Sequence, residues 1–318
     1  MRKFLSALVH RRRVPSSLLL FGKEGVGKKD LAFEFASALL CLKESYPPCG
    51  ECTSCKHMKN FLSKKKEELL FYGEDKTGKS TFLFLRGDHP DFVYLTPEKS
   101  EIKIDQIRGA KDFVYLAPAL SKRKVVLVEP ADSMNPYAQN ALLKVLEEPP
   151  LHTHFLLVTA HLQKILPTIR SRSFLLEVPP LTPQEIKELT GVDDPLILEL
   201  SEGSLKMALK LKEDTELLKT AQAIAEGDIL TLYRKALEVE KWDMERQLYL
   251  LKLLQAKLHR RFLQKRNSSD KQALDRISAG LEYLSRGIKL SLLLFQLAGG
   301  EKHALHKGKV SRQQGLSS

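Results

Sequence analysis

The first 178 residues alternate between short runs of large apolar side chains and longer amphipathic stretches. Apolar runs of three to five residues are typical of strands that are buried on both faces of a sheet. The predicted strands are Ser17–Phe21, Phe92–Leu95, Val125–Val128, Phe155–Val158 and Phe174–Leu176. The predicted helices are Asp30–Leu40, Ile104–Tyr115 and Asn135–Glu147. This alternation predicts an α/β fold with a parallel sheet, in which ligands bind beyond the carboxyl ends of the strands.

Residues beyond Pro179-Pro180 show helical periodicity and no further strand pattern. Thr182, followed by Pro183 and by Glu185 three positions on, is the signature of a capped helix start. In the last helix, apolar residues repeat at steps of three and four, which predicts a continuous apolar stripe. The stripe consists of Leu274, Ile277, Leu281, Leu284, Ile288, Leu292 and Phe295. The pattern therefore predicts an α/β domain at 1–178, a small helical domain at 179–212 and a larger helical domain at 213–318.

The amino-acid composition is that of an ordinary globular protein. The chain has 318 residues, of which 43% are hydrophobic and 28% charged, and this length suits two or three domains. No apolar run reaches the roughly 18 to 20 residues that span a bilayer. The N-terminus reaches Arg11–Arg13 before any long apolar stretch, which argues against a secretory signal. We therefore expect no membrane association and a cytoplasmic location.

Positive charge is concentrated at the C-terminal end. The formal net charge is +12, and from Leu251 onward fourteen Lys and Arg residues stand against four acidic ones. A local excess of this kind suits an anionic partner, such as nucleic acid or an acidic protein surface. It suits a solvated basic helix face equally well, so charge alone does not decide between them.

All four cysteines of the chain fall within fifteen residues, at Cys41, Cys49, Cys52 and Cys55. Four thiolates in a reduced compartment favour tetrahedral Zn²⁺, and a shell closed by four protein ligands is structural rather than catalytic. His57 is a competing ligand by position, but four sulfurs already complete the shell. The alternative is a group of buried or redox-active cysteines without a metal.

A glycine-rich loop follows the first predicted strand and precedes the first predicted helix. Gly22, Gly25 and Gly27, with Lys28, are the residues expected of a loop whose backbone N–H groups surround phosphate oxygens. The next residue should be a serine or threonine that ligates Mg²⁺, but here it is Lys29. The loop therefore looks like an anion-binding site that has lost its metal ligand. The alternative is a tight turn without a ligand.

A second segment, Gly73–Ser80, satisfies the same phosphate-loop pattern in full. It is followed by Thr81–Leu85, which has the composition of a strand and not of a helix N-terminus. Because phosphate binding needs the free N–H groups of a helix start, we interpret this segment as a hairpin turn or surface loop.

The third predicted strand ends at Glu129-Pro130. Nucleotide hydrolases commonly carry an aspartate for Mg²⁺ here and an adjacent carboxylate that polarises water. Glu129 holds the first position, but Pro130 brings no acid to the second. The alternative is that Glu129 binds no metal ion and simply lies at the end of a strand.

Several further segments together resemble the bacterial sliding-clamp loader subunits, which are AAA+ (RecA-like) proteins. The resemblance covers about Leu18 to Ala208, and the four cysteines fit it. Its segments are His89–Asp91, Ile104–Arg108, Asn140–Pro150, Thr153–Thr159 and Leu166–Ser173. It implies an AAA+ domain with a zinc module, followed by a helical lid and by a helical collar through which subunits oligomerise.

Departures from the family pattern distinguish its branches. The motor subunits, gamma and tau, carry a loop serine or threonine, an acidic pair after the third strand and an arginine in the lid motif. This chain has Lys29, Glu129-Pro130 and Lys206 at those places, while Thr159 stands where the family has its polar phosphate sensor. In these respects the chain resembles the delta-prime branch, whose members keep the motor fold and act as a stator.

The resemblance implies a role for Arg172 as an arginine finger. The family's Ser-Arg-Cys motif is Ser171-Arg172-Ser173 here, and its arginine reaches into the ATP site of a neighbouring subunit. The implied function is assembly of the DNA polymerase III clamp loader at the nucleoid-associated replisome. The implied partners are the gamma/tau ATPase subunits and the delta subunit, with the sliding clamp and primer-template DNA bound through the complex. We expect no ATP hydrolysis or polymerase catalysis by this chain alone, and the sequence leaves open whether ATP binds to it.

Two other interpretations compete with the stator. One is an active gamma-type ATPase subunit, which would turn over ATP by itself. The other is a zinc-containing nucleic-acid-binding protein without motor partners, which would not co-purify with clamp-loader subunits.

Overall fold

The computed structural model describes residues 1–75, 78–226, 229–266, 271–278, 289–291 and 294. It divides the chain into two compact units, Met1–Pro180 and Leu181–Ser318. Within the second unit, a single hydrophobic core contains residues from both sides of the predicted boundary at 212/213. The subdivision of this unit into two domains remains a prediction.

The first unit is an α/β domain around a seven-stranded sheet. Its strands are β1 (Ser17–Phe21), β2 (Leu70–Glu74), β3 (Ser80–Leu85), β4 (Phe92–Leu95), β5 (Lys124–Val128), β6 (Thr153–Thr159) and β7 (Phe174–Glu177). They lie in the order β2-β3-β4-β5-β6-β1-β7, and the five from β4 to β7 pair in parallel. The five predicted strands and the predicted α/β class are confirmed.

The described residues of this unit form six α-helices. They are α1 (Arg2–His10), α2 (Lys28–Leu40), α3 (Thr53–Ser63), α4 (Ile104–Tyr115), α5 (Pro136–Glu147) and α6 (Pro167–Ser171). The Asn135 side chain accepts a hydrogen bond from the Ala138 N–H and so caps α5. The three predicted helices are confirmed as α2, α4 and α5, whereas α1, α3 and α6 were not predicted.

Strand β1 shows why continuous apolar runs mark this sheet. Leu18 and Leu20 point into the core that contains α2, and Leu19 points into the core that contains α4 and α5. All three are completely buried. Because successive side chains of a strand alternate between faces, a sheet covered on both faces requires apolar residues at every position.

The segment Gly73–Ser80 connects two antiparallel strands. Glu74 at the end of β2 pairs with Ser80 at the start of β3, and the Asp75 N–H donates to the Lys79 carbonyl oxygen. No helix begins after this loop, so the prediction of a hairpin turn in place of a phosphate site is confirmed.

The second unit is helical over its described residues. Its helices are α7 (Pro183–Thr190), α8 (Pro195–Leu200), α9 (Leu205–Glu213), α10 (Thr215–Glu226), α11 (Ile229–Val239) and α12 (Met244–Lys265), and residues 271–278 are also helical. The capping box of Thr182 and Glu185 is present as predicted. Ile277 of the predicted stripe is buried in the core of this unit. Five stripe residues lie outside the described residues: Leu281, Leu284, Ile288, Leu292 and Phe295. In the described part of the chain, no helix has the length and apolarity that a bilayer crossing requires.

A buried carboxylate organises the edge of the sheet at which the strands begin. Asp91, directly before β4, is completely buried. Its two oxygens accept backbone N–H bonds of 2.7–2.8 Å from Ala119, Leu120 and Ser121, which lie just before β5. Three donors satisfy a charge that would otherwise be costly to bury, so Asp91 holds this loop in one conformation.

A second set of polar contacts joins the same edge to the end of α2. The Leu40 carbonyl oxygen accepts hydrogen bonds from the hydroxyls of Ser54 (2.7 Å) and Ser121 (2.8 Å). His89 Nε2 lies 2.8 Å from the Ser54 hydroxyl, and its Nδ1 accepts the Asp91 N–H. The segment that carries the cysteines is thereby attached to the sheet at its amino edge.

We predict that His154 makes stability depend on pH. Burial is the main cause that lowers the pKa of this side chain to about 4, and the positive charge of Arg123 and the nearby His152 act in the same direction. The hydrogen bond to the Pro15 carbonyl oxygen acts in the opposite direction but is outweighed. An unfolded histidine titrates near 6.5, so the unfolded state takes up a proton first as the pH falls. The resulting stability is complete above about pH 6.5 and is lost towards pH 4, by about 3 kcal/mol.

The measurement is the urea midpoint of unfolding as a function of pH. His154→Gln removes the titrating ring, so its midpoint should fall less steeply between pH 7 and 4.5 than that of the wild type. Parallel profiles for the two proteins would contradict the assignment, whatever the difference in absolute stability.

Candidate functional site

The glycine loop lies where the sequence predicts, between β1 and α2. Gly22, Gly25 and Gly27 have φ angles of 150°, 78° and 86°, which residues with a side chain rarely adopt. A Cβ on Gly22 would lie 2.3 Å from the carbonyl oxygen of Val178, so the close approach of two backbones also requires glycine there. Gly27 is the N-cap of α2, and the free N–H groups of that helix begin at the loop.

Lys28 is folded onto its own loop. Its Nζ donates to the carbonyl oxygens of Gly22 (2.8 Å) and Lys23 (2.6 Å), and the residue is only 7% exposed. Burial lowers the pKa of this ammonium group, although the charges of nearby carboxylates, Glu129 and Asp132 among them, act in the opposite direction. A phosphate that bound here would have to draw Lys28 away from both carbonyls.

Lys29 occupies the place of the expected metal ligand. Its Nζ lies 3.8 Å from Glu129 Oε2 and 5.5 Å from the centre of the Tyr94 ring. The Tyr94 hydroxyl donates to the same Glu129 oxygen at 2.5 Å, and burial together with that carboxylate raises the pKa of the tyrosine. Glu129, the carboxylate directly after β5, is therefore engaged by an ammonium group and a phenol, a pairing that disfavours a divalent cation beside it.

Thr159, at the end of β6, is tied to a neighbouring acid. Its hydroxyl donates to Asp132 Oδ1 at 2.6 Å, and His161 Nδ1 lies 3.0 Å from Asp132 Oδ2. Burial works against the charge on Asp132, but the bonds from Thr159 and His161 outweigh it and hold the pKa of the carboxyl below its usual value. The hydroxyl predicted to sense phosphate thus already has an acceptor within the chain.

The four cysteines come together at the other end of α2. The sulfur atoms of Cys41, Cys49, Cys52 and Cys55 all lie within 4.8 Å of one another, and none forms a disulfide. The Cys49 and Cys55 sulfurs are 3.8 Å apart. A tetrahedral metal with bonds of about 2.3 Å places its sulfurs about 3.8 Å apart, so the spacing fits a tetrahedral site. His57 does not belong to this group, as the sequence analysis expected.

The electrostatics of the cluster also fit a cation. Burial opposes the thiolate of Cys41, but backbone N–H groups at Cys49, Ser45 and Lys43 and the Ser45 hydroxyl lower its pKa to about 6. Burial raises the pKa of Cys55, and its neighbouring thiols add to this effect. Four thiolates this close repel one another unless a metal ion lies between them.

The two sites lie at opposite ends of one helix. Lys28 opens α2, and Cys41 follows its last residue. Thirteen residues of α-helix span about 20 Å. The cysteines therefore do not contact a ligand in the glycine loop, and any metal that they bind acts on the structure.

Arg172 lies on the amino edge of the sheet, directly before β7. Ser173 Oγ is 2.8 Å from the hydroxyl of Ser17, the first residue of β1, whereas the glycine loop follows the last residue of β1. Five residues of strand separate these edges by about 16 Å. Arg172 Nη2 pairs with Glu147 Oε1 at 3.1 Å, and the arginine side chain is 38% exposed. It faces away from the loop of its own chain.

The first 182 residues match the protein family described as "DNA polymerase III, delta subunit". The chain belongs to this family. The match covers more than half of the sequence and includes the sheet, the glycine loop, the cysteine cluster and Arg172.

Curated relatives support the predicted delta-prime resemblance. The DNA polymerase III subunit delta' of Pseudomonas aeruginosa is 38% identical over 52% of this chain and 44% of its own length. That of Escherichia coli is 31% identical over 61% of this chain and 54% of its own length. A tau/gamma subunit of Haemophilus influenzae is 29% identical over 68% of this chain. The chain spans about half the length of the delta' relatives it matches.

A solved structure of a gamma-subunit-related protein from Thermotoga maritima is similar to this chain. It covers 92% of this chain and 97% of its own, at 20% identity and with a TM-score of 0.45. That likeness is too distant to bear on function.

Sequence reasoning missed three members of the site: Asp132, His161 and Tyr94. Each acts through a partner on another strand or loop, so no local motif marks it. Asp132 lies in the predicted strand-to-helix loop after β5, where ligand-binding residues are expected in a parallel sheet. That position was the one signal in the sequence that could have identified it.

We predict that the two loop glycines differ in their tolerance of alanine. Gly22→Ala forces a Cβ against the Val178 carbonyl and should cost about 3 kcal/mol, because two backbones must separate. Gly27→Ala meets no atom within 4 Å and should cost about 1 kcal/mol from its positive φ alone. Urea unfolding of both variants measures the difference, and equal losses would contradict it.

Proposed function

We propose that this chain is a stator subunit of the DNA polymerase III clamp loader. It assembles with the gamma/tau ATPase subunits and with a delta subunit, and it supplies Arg172 to the ATP site of a neighbour. The complex then loads the sliding clamp onto primer-template DNA at the replisome. The observation that carries the proposal is that Arg172 and the chain's own glycine loop lie on opposite edges of the sheet.

The absence of independent ATP hydrolysis is the second part of the proposal. Lys29 provides no ligand for Mg²⁺ and already lies near Glu129. Pro130 provides no carboxylate to polarise water, and Lys206 stands where motor subunits have the lid arginine. A gamma-type ATPase would need a Mg²⁺ ligand, a water-polarising carboxylate and an arginine at these three positions. The loop of Gly22, Gly25, Gly27 and Lys28, with Thr159, is then a degenerate nucleotide site.

The helical unit would provide the assembly surface. We assign residues 179–212 to a lid and 213–318 to a collar that packs against other subunits. The core of the described part of this unit runs across the boundary at 212/213, so the lid would pack directly against the collar. Within the collar, Arg246 of α12 pairs with Asp214 and Glu216 at 2.6–2.8 Å.

Cys41, Cys49, Cys52 and Cys55 would hold one structural Zn²⁺. The metal would neutralise the thiolates and join the end of α2 to α3. Because the cluster lies about 20 Å from the glycine loop, its role would be to stabilise the fold.

We predict one zinc ion per chain, detected by native mass spectrometry or elemental analysis. Cys52→Ser should abolish stoichiometric zinc and lower the thermal midpoint, because three thiolates bind the ion less tightly. Ser45→Ala is the matched control: it removes a hydroxyl 3.5 Å from the Cys41 sulfur without removing a ligand, so it should keep its zinc. Metal-free protein that was never exposed to chelator and is fully folded would contradict the assignment.

We predict that Arg172→Ala acts only in the assembled complex. The exposed pair with Glu147 contributes about 1 kcal/mol or less, so stability and assembly should change little. An arginine finger accelerates hydrolysis by about 10³ to 10⁵ at the site that it serves, so the clamp-stimulated ATP turnover of the complex should fall. The total loss is smaller, since other sites keep their own arginines.

Three controls make this experiment specific. The isolated wild-type chain should hydrolyse ATP no faster than buffer. Arg172→Lys keeps the charge but loses the planar guanidinium, so it should reduce turnover nearly as much as alanine does. Lys164→Ala, a charge loss at an exposed position eight residues before Arg172, should keep wild-type turnover. Wild-type turnover and clamp loading in the Arg172→Ala complex would refute the role of the arginine.

A further inference from the structure

A pocket separate from the cysteine cluster lies where α2, α3, β3 and β4 meet. Its volume is about 440 Å³, which lies within the range of about 300–1,000 Å³ that is usual for ligand pockets. Six of its ten lining residues are aromatic or aliphatic, three are lysines, and none is acidic. The segment that carries the β2–β3 hairpin contributes to its wall, and the proposed stator function gives this hairpin no role.

The floor of the pocket is rigid and apolar. Phe33, Phe61 and Tyr94 are each at most 5% exposed and pack against one another, with ring centres 5.3–6.5 Å apart. Leu62, at the open side, is 57% exposed. A bulky apolar side chain from outside could therefore cover Leu62 and reach this floor, and the burial of both surfaces would favour binding.

Lysines surround the floor. Lys29 and Lys64 have side chains that are 53% and 33% exposed, and Lys66 is also exposed. Lys64 pairs with Asp88, and Lys66 donates a long bond of 3.4 Å to the Pro97 carbonyl oxygen. An ammonium group has three N–H donors, so these contacts leave room for further acceptors. The mouth of the pocket therefore favours an anionic ligand with an apolar part.

We propose that this pocket binds an acidic peptide segment of a partner protein. One bulky apolar side chain of the segment enters the pocket above Phe61, and carboxylates on either side of it pair with Lys64 and Lys66. The pocket offers both kinds of contact, since its apolar floor is bordered by three lysines, of which Lys29 and Lys64 also pair with Glu129 and Asp88.

The polar atoms of the pocket favour a peptide over a single-stranded nucleic acid. A nucleobase inserted here would bring donors and acceptors on its edge, and these need partners once buried. For hydrogen bonding, the lining side chains offer the lysine ammonium groups, the Thr96 hydroxyl and the Tyr94 hydroxyl. The Tyr94 hydroxyl already donates a hydrogen bond to Glu129. Donors therefore outnumber acceptors. A phenylalanine or leucine side chain has no polar edge, so its burial in the pocket leaves no hydrogen-bond donor or acceptor unpaired.

The test uses the full-length chain and a fluorescently labelled pentapeptide with phenylalanine between two pairs of glutamates. Binding is measured by fluorescence anisotropy at low ionic strength. Replacing the phenylalanine by alanine, or the glutamates by glutamines, should weaken binding about tenfold each. Labelled oligothymidylate of ten nucleotides serves as the nucleic-acid probe.

Two variants of the chain test the two kinds of contact, and a third is the control for charge. Lys66→Glu reverses a charge at the mouth and should weaken peptide binding about tenfold. Lys65→Glu makes the same charge change at the neighbouring exposed residue, which does not line the pocket, and should stay within about twofold of wild type. Leu62→Ser reduces the apolar wall and should weaken binding about threefold. All three positions are exposed, so the fold should be retained.

The proposal is supported if the peptide binds, its phenylalanine and its glutamates both matter, and Lys66→Glu weakens binding more than Lys65→Glu. Equal effects of the two lysine variants would overturn it, because they would indicate attraction to the general positive charge. Failure of the peptide to bind would also overturn it. Tighter binding of oligothymidylate, weakened by Lys66→Glu, would overturn it in favour of a nucleic-acid site.

Discussion

The buried carboxylate of Asp91 is the contact on which the arrangement of the first unit depends. It fixes the loop before β5 through three backbone N–H bonds, and Ser121 of that loop then reaches the carbonyl of Leu40 at the end of α2. Removing the carboxylate would deprive three backbone N–H groups of their acceptor, and a hydrogen bond to a charged group contributes about 1.5–3 kcal/mol. The cysteine segment is attached at the same edge, because the Ser54 hydroxyl donates to the Leu40 carbonyl oxygen and contacts His89 Nε2, while His89 Nδ1 accepts the Asp91 N–H.

The sheet separates the candidate functions by edge. At the amino edge lie the cysteine cluster and Arg172, and at the carboxyl edge lies the glycine loop. The parallel strands dictate this separation, because everything that precedes a strand meets at one edge and everything that follows it meets at the other. A group on the amino edge lies too far from the glycine loop of its own chain to act there. The proposed action of Arg172 on a neighbouring subunit requires this separation.

The main elements could be predicted from sequence because their signals are local. Continuous apolar runs revealed β1 and β4 to β7, and the strand composition after Gly73–Ser80 excluded a second phosphate loop. The spacing of the four cysteines placed them in one cluster. The bond of Tyr94 to Glu129 joins residues 35 positions apart, and that of Asp132 to Thr159 joins residues 27 apart. Such contacts depend on strand order and register, which composition does not specify.

Two cationic side chains, Lys28 and Arg172, are held with different strength. Lys28 is almost fully buried and donates to two carbonyl oxygens, and a bond from a charged group contributes about 1.5–3 kcal/mol. Arg172 has one exposed ion pair, a kind that contributes at most about 1 kcal/mol, and its Nη1 donates one long bond of 3.3 Å to the Thr168 carbonyl oxygen. The chain thus holds tightly the cation that faces its own loop and loosely the one that faces outward. The proposed stator role requires that difference, because Arg172 must leave Glu147 at little cost when a neighbour docks.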